Sequence, residues 1–353
     1  MNELEQALKE IRPADGAAIA AAREHWNRLA KPLGSLGRLE DAIVRIAGLT
    51  GCPAVELSRR TLLVLCADNG VVAQGVTQSE AAVTAAVATA LAAGESTVCH
   101  MARVARCRVL PVDMGILDYP PTEGVWDCRI RNGTADITCG AAMTRAQCVA
   151  AIEAGMALVA GMAAEGTDLL LTGEMGIGNT TTSSAVAAVL LGETAAVLTG
   201  RGAGLSDAGL ARKIAAITGA IACNRPDPAD PIDVLAKVGG LDLAGLCGVF
   251  LGGALHRIPV VIDGLISGVA ALCAVRLCPH AACAQLSSHV SAEPAGERIL
   301  DALGQQPLVT AGLRLGEGSG AVAALPLLDM ALAVYHSGQT FDRLGIDPYT
   351  PQI

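Results

Sequence analysis

The chain has 353 residues, of which 52% are hydrophobic and only 2% aromatic, and its formal net charge is −9. This composition disfavours a nucleic-acid partner, which would require clustered lysine and arginine or aromatic rings that stack on bases. The longest uninterrupted apolar stretch, residues 243–255, is shorter than the ~20 residues of a membrane-spanning helix. The charged N-terminus also lacks the apolar segment of a signal peptide. We therefore expect a cytoplasmic protein with neither nucleic acid nor membrane as a partner.

The twelve cysteines are scattered, mostly within alanine-rich apolar runs, and no C-x-x-C motif occurs. Free cysteine behaves as a small core residue, so reduced structural thiols are expected. The segment from Cys278 to Cys283 also holds His280, but a proline separates the candidate ligands and no second paired motif follows. We predict no metal and no cofactor.

The first 58 residues have a helical pattern. A charged amphipathic helix opens the chain, Asp15 is a candidate N-cap for a second helix, and a third helix should stop at Gly51. The chain closes with another helix at 321–336. We predict a small helical domain made of residues 1–58 and 321–353, beside a large α/β domain of residues 59–320.

From about residue 60 the pattern changes to strands alternating with alanine-rich helices. Such alternation predicts a parallel sheet with helices on both faces and right-handed crossovers. The predicted strands are 61–67, 108–112, 168–172, 195–198, 259–262 and 309–315. The predicted helices between them include 79–93, 145–164, 180–191 and 206–222.

Five apolar runs each stop at a lone acid beside a glycine, namely Asp68, Asp113, Glu174, Asp263 and Glu317. Continuous aliphatic runs are typical of strands buried on both faces, and ligands of open α/β sheets lie outside the carboxyl ends of the strands. Glycine also lets the backbone approach a ligand closely. The pattern therefore predicts an enzyme site with five carboxylates around one pocket.

The segment GEMGIGNTTTSS at 173–184 follows a strand and leads into a helix with several hydroxyl residues. Backbone amides at a helix N-terminus bind anions, so we expect a phosphate here rather than an ordinary capped turn. The segment is neither a P-loop nor a G-x-G-x-x-G motif.

The segment GRGAGLSDAGLARK at 200–213 repeats this arrangement. Ser206 or Asp207 should cap a helix that carries Lys213, whose side chain could reach back toward a phosphate. A lysine on the surface is the alternative.

Other acids and loops have two interpretations each. Glu317, between two glycines, is either a general base or an acid that complements a helix dipole. Residues 31–40 form either a connector or a loop lent to a neighbouring subunit. Residues 287–293 offer Ser288, Ser291 and Glu293 near a turn, whereas His289 is expected to be structural.

Seven segments in order resemble one known family, nicotinate-nucleotide–dimethylbenzimidazole phosphoribosyltransferase. They are KPLGSLGRLE, CADNGV, GEMGIGNTTTSSA, DVLAKVGGLDLAGLCGVFLG, PVVIDG, SHVSAE and LRLGEGSGA. The resemblance implies a Rossmann-like six-stranded parallel sheet, a small helical domain built from both chain ends, and a homodimer. It also implies transfer of the phosphoribosyl group of nicotinate mononucleotide to a lower-ligand base, which gives α-ribazole 5′-phosphate and nicotinate.

The resemblance implies the roles of individual residues. Glu317 would be the general base, and Glu174 would lie close to the ribose and the reacting centre. The residues assigned to the phosphate and ribose are Gly176, Gly178, Asn179, Thr180, Gly202, Gly204, Lys213, Asp263 and Ser291. Those assigned to the incoming base are Ser79, Leu315 and Asp68.

The chain departs from the family pattern at Asn69, where histidine is frequent, and at Glu80, where proline is frequent. These departures leave the natural base open between benzimidazoles, adenine and phenols. A heterodimer with a similar chain and a non-catalytic nucleotide-binding subunit also stay open. A nicotinamide-dependent dehydrogenase fits the fold but lacks the glycine fingerprint.

Overall fold

The computed structural model describes residues 3–350 and contains one six-stranded sheet. All strands are parallel, in the order β3-β2-β1-β4-β5-β6. They are β1 (Arg60–Ala67), β2 (Arg108–Gly115), β3 (Trp126–Asp127), β4 (Leu169–Met175), β5 (Val260–Ile262) and β6 (Gln285–Ser287). This confirms the predicted α/β class and the Rossmann-like sheet, whose strand order reverses between β1 and β4.

Fifteen α-helices are present within residues 3–350. They are α1 (Glu3–Glu10), α2 (Gly16–Arg28), α3 (Arg38–Thr50), α4 (Ala82–Ala92), α5 (Thr97–Val104), α6 (Arg145–Ala164), α7 (Asn179–Leu191), α8 (Ala195–Leu198), α9 (Asp207–Asn224), α10 (Pro231–Val238), α11 (Leu241–His256), α12 (Leu265–Leu277), α13 (Ala295–Ala302), α14 (Ser319–Tyr335) and α15 (Phe341–Leu344). Two 3₁₀ helices occupy Gly70–Gln74 and Pro279–Ala284.

Strand β1 shows why helices cover both faces of the sheet. Its side chains alternate between the two faces, as the strand period of two requires. Leu63 and Leu65 pack in a core with helices α6, α11 and α12, whereas Leu62 and Val64 pack with helices α3, α5 and α14. The apolar run of this strand is therefore buried on both sides, as its sequence predicted.

The two ends of the chain meet in the structure. Asp15 caps helix α2 by accepting from the amides of Ala17 and Ala18, and helix α3 ends at Gly51, as predicted. Trp26 of α2 makes an edge-on contact with Tyr335 of α14, with ring centroids 4.9 Å apart. Helix α1 instead packs in the core that contains α11.

The division into two domains stays a prediction. The predicted small domain includes residues 1–2 and 351–353, which lie outside the described residues.

Two predicted strands are wrong. Residues 195–198 form helix α8, because the positions on both sides of β4 are filled by β1 and β5. Residues 309–315 form no strand beyond a single bridge between Val309 and His289, since much of this segment is exposed and has no face to bury. The sequence missed β3, which has two residues, and β6, which begins with the polar Gln285.

Helices α6 and α11 pack closely through glycines. A Cβ on Gly155 would lie 2.0 Å from the carbonyl oxygen of Gly245, and one on Gly248 would lie 1.9 Å from that of Ile152. No larger residue fits at either position without moving a backbone. This contact fixes α11 under the sheet.

Two helical stretches, Ala82–Val104 and Arg145–Ala164, are long and apolar enough to cross a membrane by length and composition. The first comprises α4 and α5 with a turn between them, and the second is α6, which packs on α11. Helices of a protein core pass the same test, so this is weak evidence for a span. All twelve cysteines are free, and seven of them are buried.

Candidate active site

A cavity of about 260 Å³ lies at the carboxyl ends of β4 and β5, beside the point where the strand order reverses. Ligands of doubly wound folds bind at this position. The predicted site residues that line it are Glu174, Gly176, Gly178, Asn179, Thr180, Gly202, Asp263, Ser291, Leu315 and Glu317. The structure therefore brings ten of the fourteen predicted site residues to one place.

The glycine loop after β4 leads into helix α7, which begins at Asn179. Its N-cap is Gly178, with φ +94°, and no side chain caps this end. A Cβ on Gly176 would lie 2.4 Å from the carbonyl oxygen of Ala67, so only glycine lets the loop pack against β1. Asn179 and Thr180 of the first turn line the cavity, where an anion can complement the helix dipole, although the amides of Asn179 and Thr181 already donate to the carbonyl oxygens of Gly176 and Gly178.

Lys213 is not a surface residue. It is 1% exposed, and its Nζ donates to Thr180 Oγ1 at 2.8 Å. Burial lowers the pKa of its ammonium group to about 8, and the nearby Glu293 opposes that shift. Ser206 rather than Asp207 caps the helix that carries it, accepting from the Gly209 amide. Lys213 thus contacts the cavity lining by its hydrogen bond to Thr180.

Glu174 is one of two buried carboxylates held by a single amide. Asn179 Nδ2 donates to Glu174 Oε2 and, at 3.0 Å, to Asp242 Oδ2. Burial raises the pKa of Glu174 to about 8, and the charges of Asp242, Asp263 and Glu317 add to the effect. Burial also raises the pKa of Asp242 to about 6. The carboxyl group of Glu174 is therefore poised to change its charge near neutral pH.

Glu317 lies in a turn of three consecutive residues with positive φ. Gly316 and Gly318 have φ +87°, and Glu317 itself has φ +58°, which is uncommon for a residue with a side chain. The turn packs tightly on β4, because a Cβ on Gly173 would lie 2.6 Å from the carbonyl oxygen of Glu317. Glu317 is half-buried and lines the cavity, where backbone strain of this kind is typical of functional residues.

Asp263 lines the cavity and also anchors helix α14. Its Oδ1 accepts from the amides of Gly320 at 2.7 Å and Ala321 at 3.1 Å. Burial raises the pKa of its carboxyl group, while the nearby His289 opposes that shift. Ser291 lines the same wall of the cavity. The helix that follows Glu317 is thus fixed by a carboxylate at the end of β5.

The expectation that five carboxylates gather around one pocket is wrong for Asp68 and Asp113. Among the described residues, neither lines the cavity. Asp113 accepts from the amides of Gly115 and Ile116 and pairs with Arg129 at 2.6 Å. Its position at the end of a strand serves the local structure.

Asp68 supports the site indirectly. Its Oδ1 accepts from Thr84 Oγ1 at 2.6 Å, and Thr84 Oγ1 in turn accepts from the Ile177 amide at 3.1 Å. Asp68 therefore stabilises the glycine loop through Thr84. Its assignment to the base pocket stays a prediction.

Ser79 and Gly204 also lie outside the lining of the cavity within the described residues. The two segments meet, because Gln78 Nε2 donates to the carbonyl oxygen of Gly204. Thr77, two residues before Ser79, does line the cavity. The roles assigned to Ser79 and Gly204 stay predictions.

Sequence reasoning missed several residues of the cavity or its support. Thr77, His289 and Arg314 line the cavity although no site role was predicted for them, and Glu293, which the sequence offered without a specific role, lines it as well. Asp242 is fully buried within an otherwise apolar helix, and that isolated acid was the one available signal. Only the fold shows that it shares an amide with Glu174.

The two departures from the family pattern have different surroundings. Asn69 is buried behind the glycine loop, where its Nδ2 donates to the carbonyl oxygen of Ile177 at 3.4 Å. Glu80 is exposed. Neither residue lines the cavity in the described part of the chain.

Comparisons with known proteins agree with this geometry. A family model described as "Phosphoribosyltransferase" matches residues 11–346. A nicotinate-nucleotide–dimethylbenzimidazole phosphoribosyltransferase from Ruminiclostridium cellulolyticum is 44% identical over 347 residues, which cover 98% of this chain and 99% of the relative. The chain belongs to this family.

Further relatives support the same family. An enzyme of the same name from Acetivibrio thermocellus is 44% identical over 348 residues and covers 99% of both chains. The crystal structure of CobT from Thermus thermophilus is 37% identical, with a TM-score of 0.90, and covers 94% of this chain and 100% of that one. This chain therefore resembles the family in both sequence and fold.

Proposed function

We propose that the protein transfers the 5-phosphoribosyl group of nicotinate mononucleotide to a lower-ligand base such as 5,6-dimethylbenzimidazole, releasing nicotinate. The observation that carries this proposal is one cavity that combines Glu174, Glu317 and the N-terminus of helix α7, which no side chain caps. Family membership supports the same reaction.

The reaction exchanges one C–N bond for another at the anomeric carbon of the ribose. A ring nitrogen of the incoming base forms the new bond on the face opposite nicotinate. The old bond breaks toward the pyridinium nitrogen, which takes the electron pair and becomes neutral. Positive charge develops on the ribose, and Glu174 is the carboxylate proposed to stabilise it.

Glu317 is proposed to take the proton from the other ring nitrogen of the base. This prevents positive charge from building up on the product and contributes typically 10²–10⁴-fold to the rate. A half-buried carboxylate in the lining of the cavity suits this role.

The 5′-phosphate is proposed to bind at the start of α7. Thr180 and the turn at Gly202 line this part of the cavity, and the Nζ of Lys213 lies behind them, bonded to Thr180 Oγ1. A bound phosphate would favour the ammonium form of Lys213, which burial alone disfavours.

A nicotinate-release assay tests the proposal directly. The purified chain is incubated with nicotinate mononucleotide and, in turn, with 5,6-dimethylbenzimidazole, benzimidazole, adenine and phenol. Release that depends on an azole base is expected and ranks the natural base. Release with phenol alone would place the chain with the phenol-type relatives, and nucleotide binding without release would indicate a partner-dependent or non-catalytic subunit.

We also propose that the protein is a cytoplasmic homodimer. Twelve free cysteines support a reducing compartment. Sedimentation velocity of the purified chain should give a species of twice the 35.7 kDa chain mass. A monomer that dimerises only with a second, similar chain would favour the heterodimer instead.

A further inference from the structure

A second cavity, of about 250 Å³, lies beside strand β6. The segment that follows β6 separates it from the active-site cavity. Its floor contains Ser287 of β6, while His289, two residues later, lines the first cavity. Exposed residues Arg38, Asp41 and Gln306 surround its mouth. The cavity is thus separate from the active site but similar to it in volume.

Two arginines of helix α3 line this second cavity without a carboxylate partner. Arg45 Nη2 donates to the carbonyl oxygen of Ala282 at 2.7 Å, and Arg38 Nη1 donates to that of Pro307. Within residues 3–350 neither guanidinium forms an ion pair, although Asp41 lines the same cavity. The lining therefore carries a net positive charge.

Two buried polar atoms of this lining have no hydrogen-bond partner. They are Arg45 Nε and Ser287 Oγ, and Ser287 is only 5% exposed. Leaving a buried donor unsatisfied costs stability, so native structures pair such groups with protein, water or ligand. Burial also lowers the pKa of the half-buried Arg45 guanidinium.

The rest of the wall is apolar and comes from both the sheet and helix α14. Val261, Leu286, Leu308, Ala324 and Leu328 form it. Leu308 is half-buried, and the other four side chains are already buried. A molecule with an apolar ring would fill the space beside them, which an inorganic ion is too small to fill.

We propose that this cavity binds a small organic anion, with a carboxylate or phosphate group between Arg38, Arg45 and Ser287 and an apolar ring on the wall below. Both anionic groups accept the paired N–H donors of a guanidinium. The site needs no contribution from the catalytic carboxylates and does not depend on the proposed reaction.

Isothermal titration with two probes tests the site. Benzoate and phenyl phosphate share a ring but differ in the anionic group, so the tighter probe identifies the chemistry. Saturable binding of at least one is expected, with affinity about 10- to 100-fold weaker in Arg45→Met. Arg23→Met, an exposed arginine on helix α2, is the matched control and should bind as the wild type does.

Ser287→Ala and Arg38→Met keep the test decisive if Arg45→Met does not fold. Removing a hydroxyl that has no partner should leave the fold intact, while affinity for the probe falls about 3- to 10-fold. Wild-type affinity in both of these variants would overturn the proposal. The absence of saturable binding of either probe to the wild-type protein would overturn it as well.

Discussion

The backbone conformation of residues 316–318 sets the position of Glu317 in the cavity lining. The turn of three positive-φ residues places it in the lining of the cavity, where its Oε2 accepts from the amide of Val98 at 3.4 Å, and Gly173 leaves the turn room to pack on β4. A glutamine at this position keeps the shape but cannot accept a proton. The residue is therefore well suited to a test of general-base catalysis.

We predict that Glu317→Gln lowers kcat for nicotinate release about 10²–10⁴-fold, because proton removal from the incoming base is lost. Affinity for nicotinate mononucleotide should change little, since the residue acts on the second substrate. Steady-state kinetics and nucleotide titration measure the two quantities, with Glu24→Gln, an exposed acid on helix α2, as the control. An unchanged kcat would remove Glu317 from the mechanism.

Asp242, which shares the Asn179 amide with Glu174, should influence the charge of Glu174 by direct electrostatic repulsion. Its negative charge helps to raise the pKa of Glu174 to about 8, so Asp242→Asn should lower that pKa. The ionised form of Glu174 then persists to lower pH, and the acidic limb of the kcat/KM profile moves in that direction. Asp263 and Glu317 still face Glu174 in the variant, so the shift is partial.

The control for this prediction is Asp118→Asn, an exposed acid whose substitution should leave the profile in place. If Asp242→Asn lowers activity equally at every pH, Asp242 only supports the fold.

The sequence revealed candidate acids but not which of them face the ligand. Asp113 and Glu174 share the same local pattern, an apolar run followed by an acid near glycine. In the fold Asp113 forms an ion pair with Arg129, whereas Glu174 lines the cavity. Asp242 gave the weakest signal of all, because its role depends on a contact with Asn179, 63 positions away.

Among the elements, the contact between α6 and α11 gives a sharp stability test. Gly248→Ala should lower the free energy of unfolding by about 1–3 kcal/mol, because its Cβ would collide with the carbonyl oxygen of Ile152. Gly161→Ala lies on the other helix of the pair, α6, with nothing within 4 Å of the added Cβ, and should stabilise by about 0.5–1 kcal/mol. Urea unfolding measures both, and equal effects would contradict the packing argument.

Long elements were predictable and short ones were not. Helix α6 has 20 residues and a capping box at Thr144 and Gln147, and its predicted bounds are confirmed. The run at 195–198 has four apolar residues, which suit a helix and a strand equally well. Strand β6 depends on pairing with β5 rather than on its own composition.

At the scale of the whole molecule, two buried ionisable groups should shape the dependence of stability on pH. The folded protein raises the pKa of Glu174 from 4.5 to about 8, so it holds a proton that the unfolded chain releases in this range. The contribution of Glu174 to stability is therefore lost as pH rises from about 4.5 to about 8. Lys213 has its pKa lowered from 10.5 to about 8, so the unfolded chain holds the extra proton there, and stability rises with pH between those values.

Urea unfolding of the unliganded protein across this range checks the prediction. Relative to the wild type, Glu174→Gln should flatten the fall below pH 8, and Lys213→Met should flatten the rise above it. Parallel curves for all three proteins would mean that neither group titrates as its burial implies.

The distribution of the cysteines has a consequence for chemical reactivity. Thiolates, not thiols, attack alkylating reagents and oxidants. Burial raises the pKa of Cys107 and Cys148 to about 12, so these thiols stay protonated and shielded in the folded chain. The exposed Cys52, Cys139 and Cys223 are left as the accessible thiols. Oxidative damage to the native protein should therefore begin at its periphery, and labelling of the seven buried thiols would report the opening of its core.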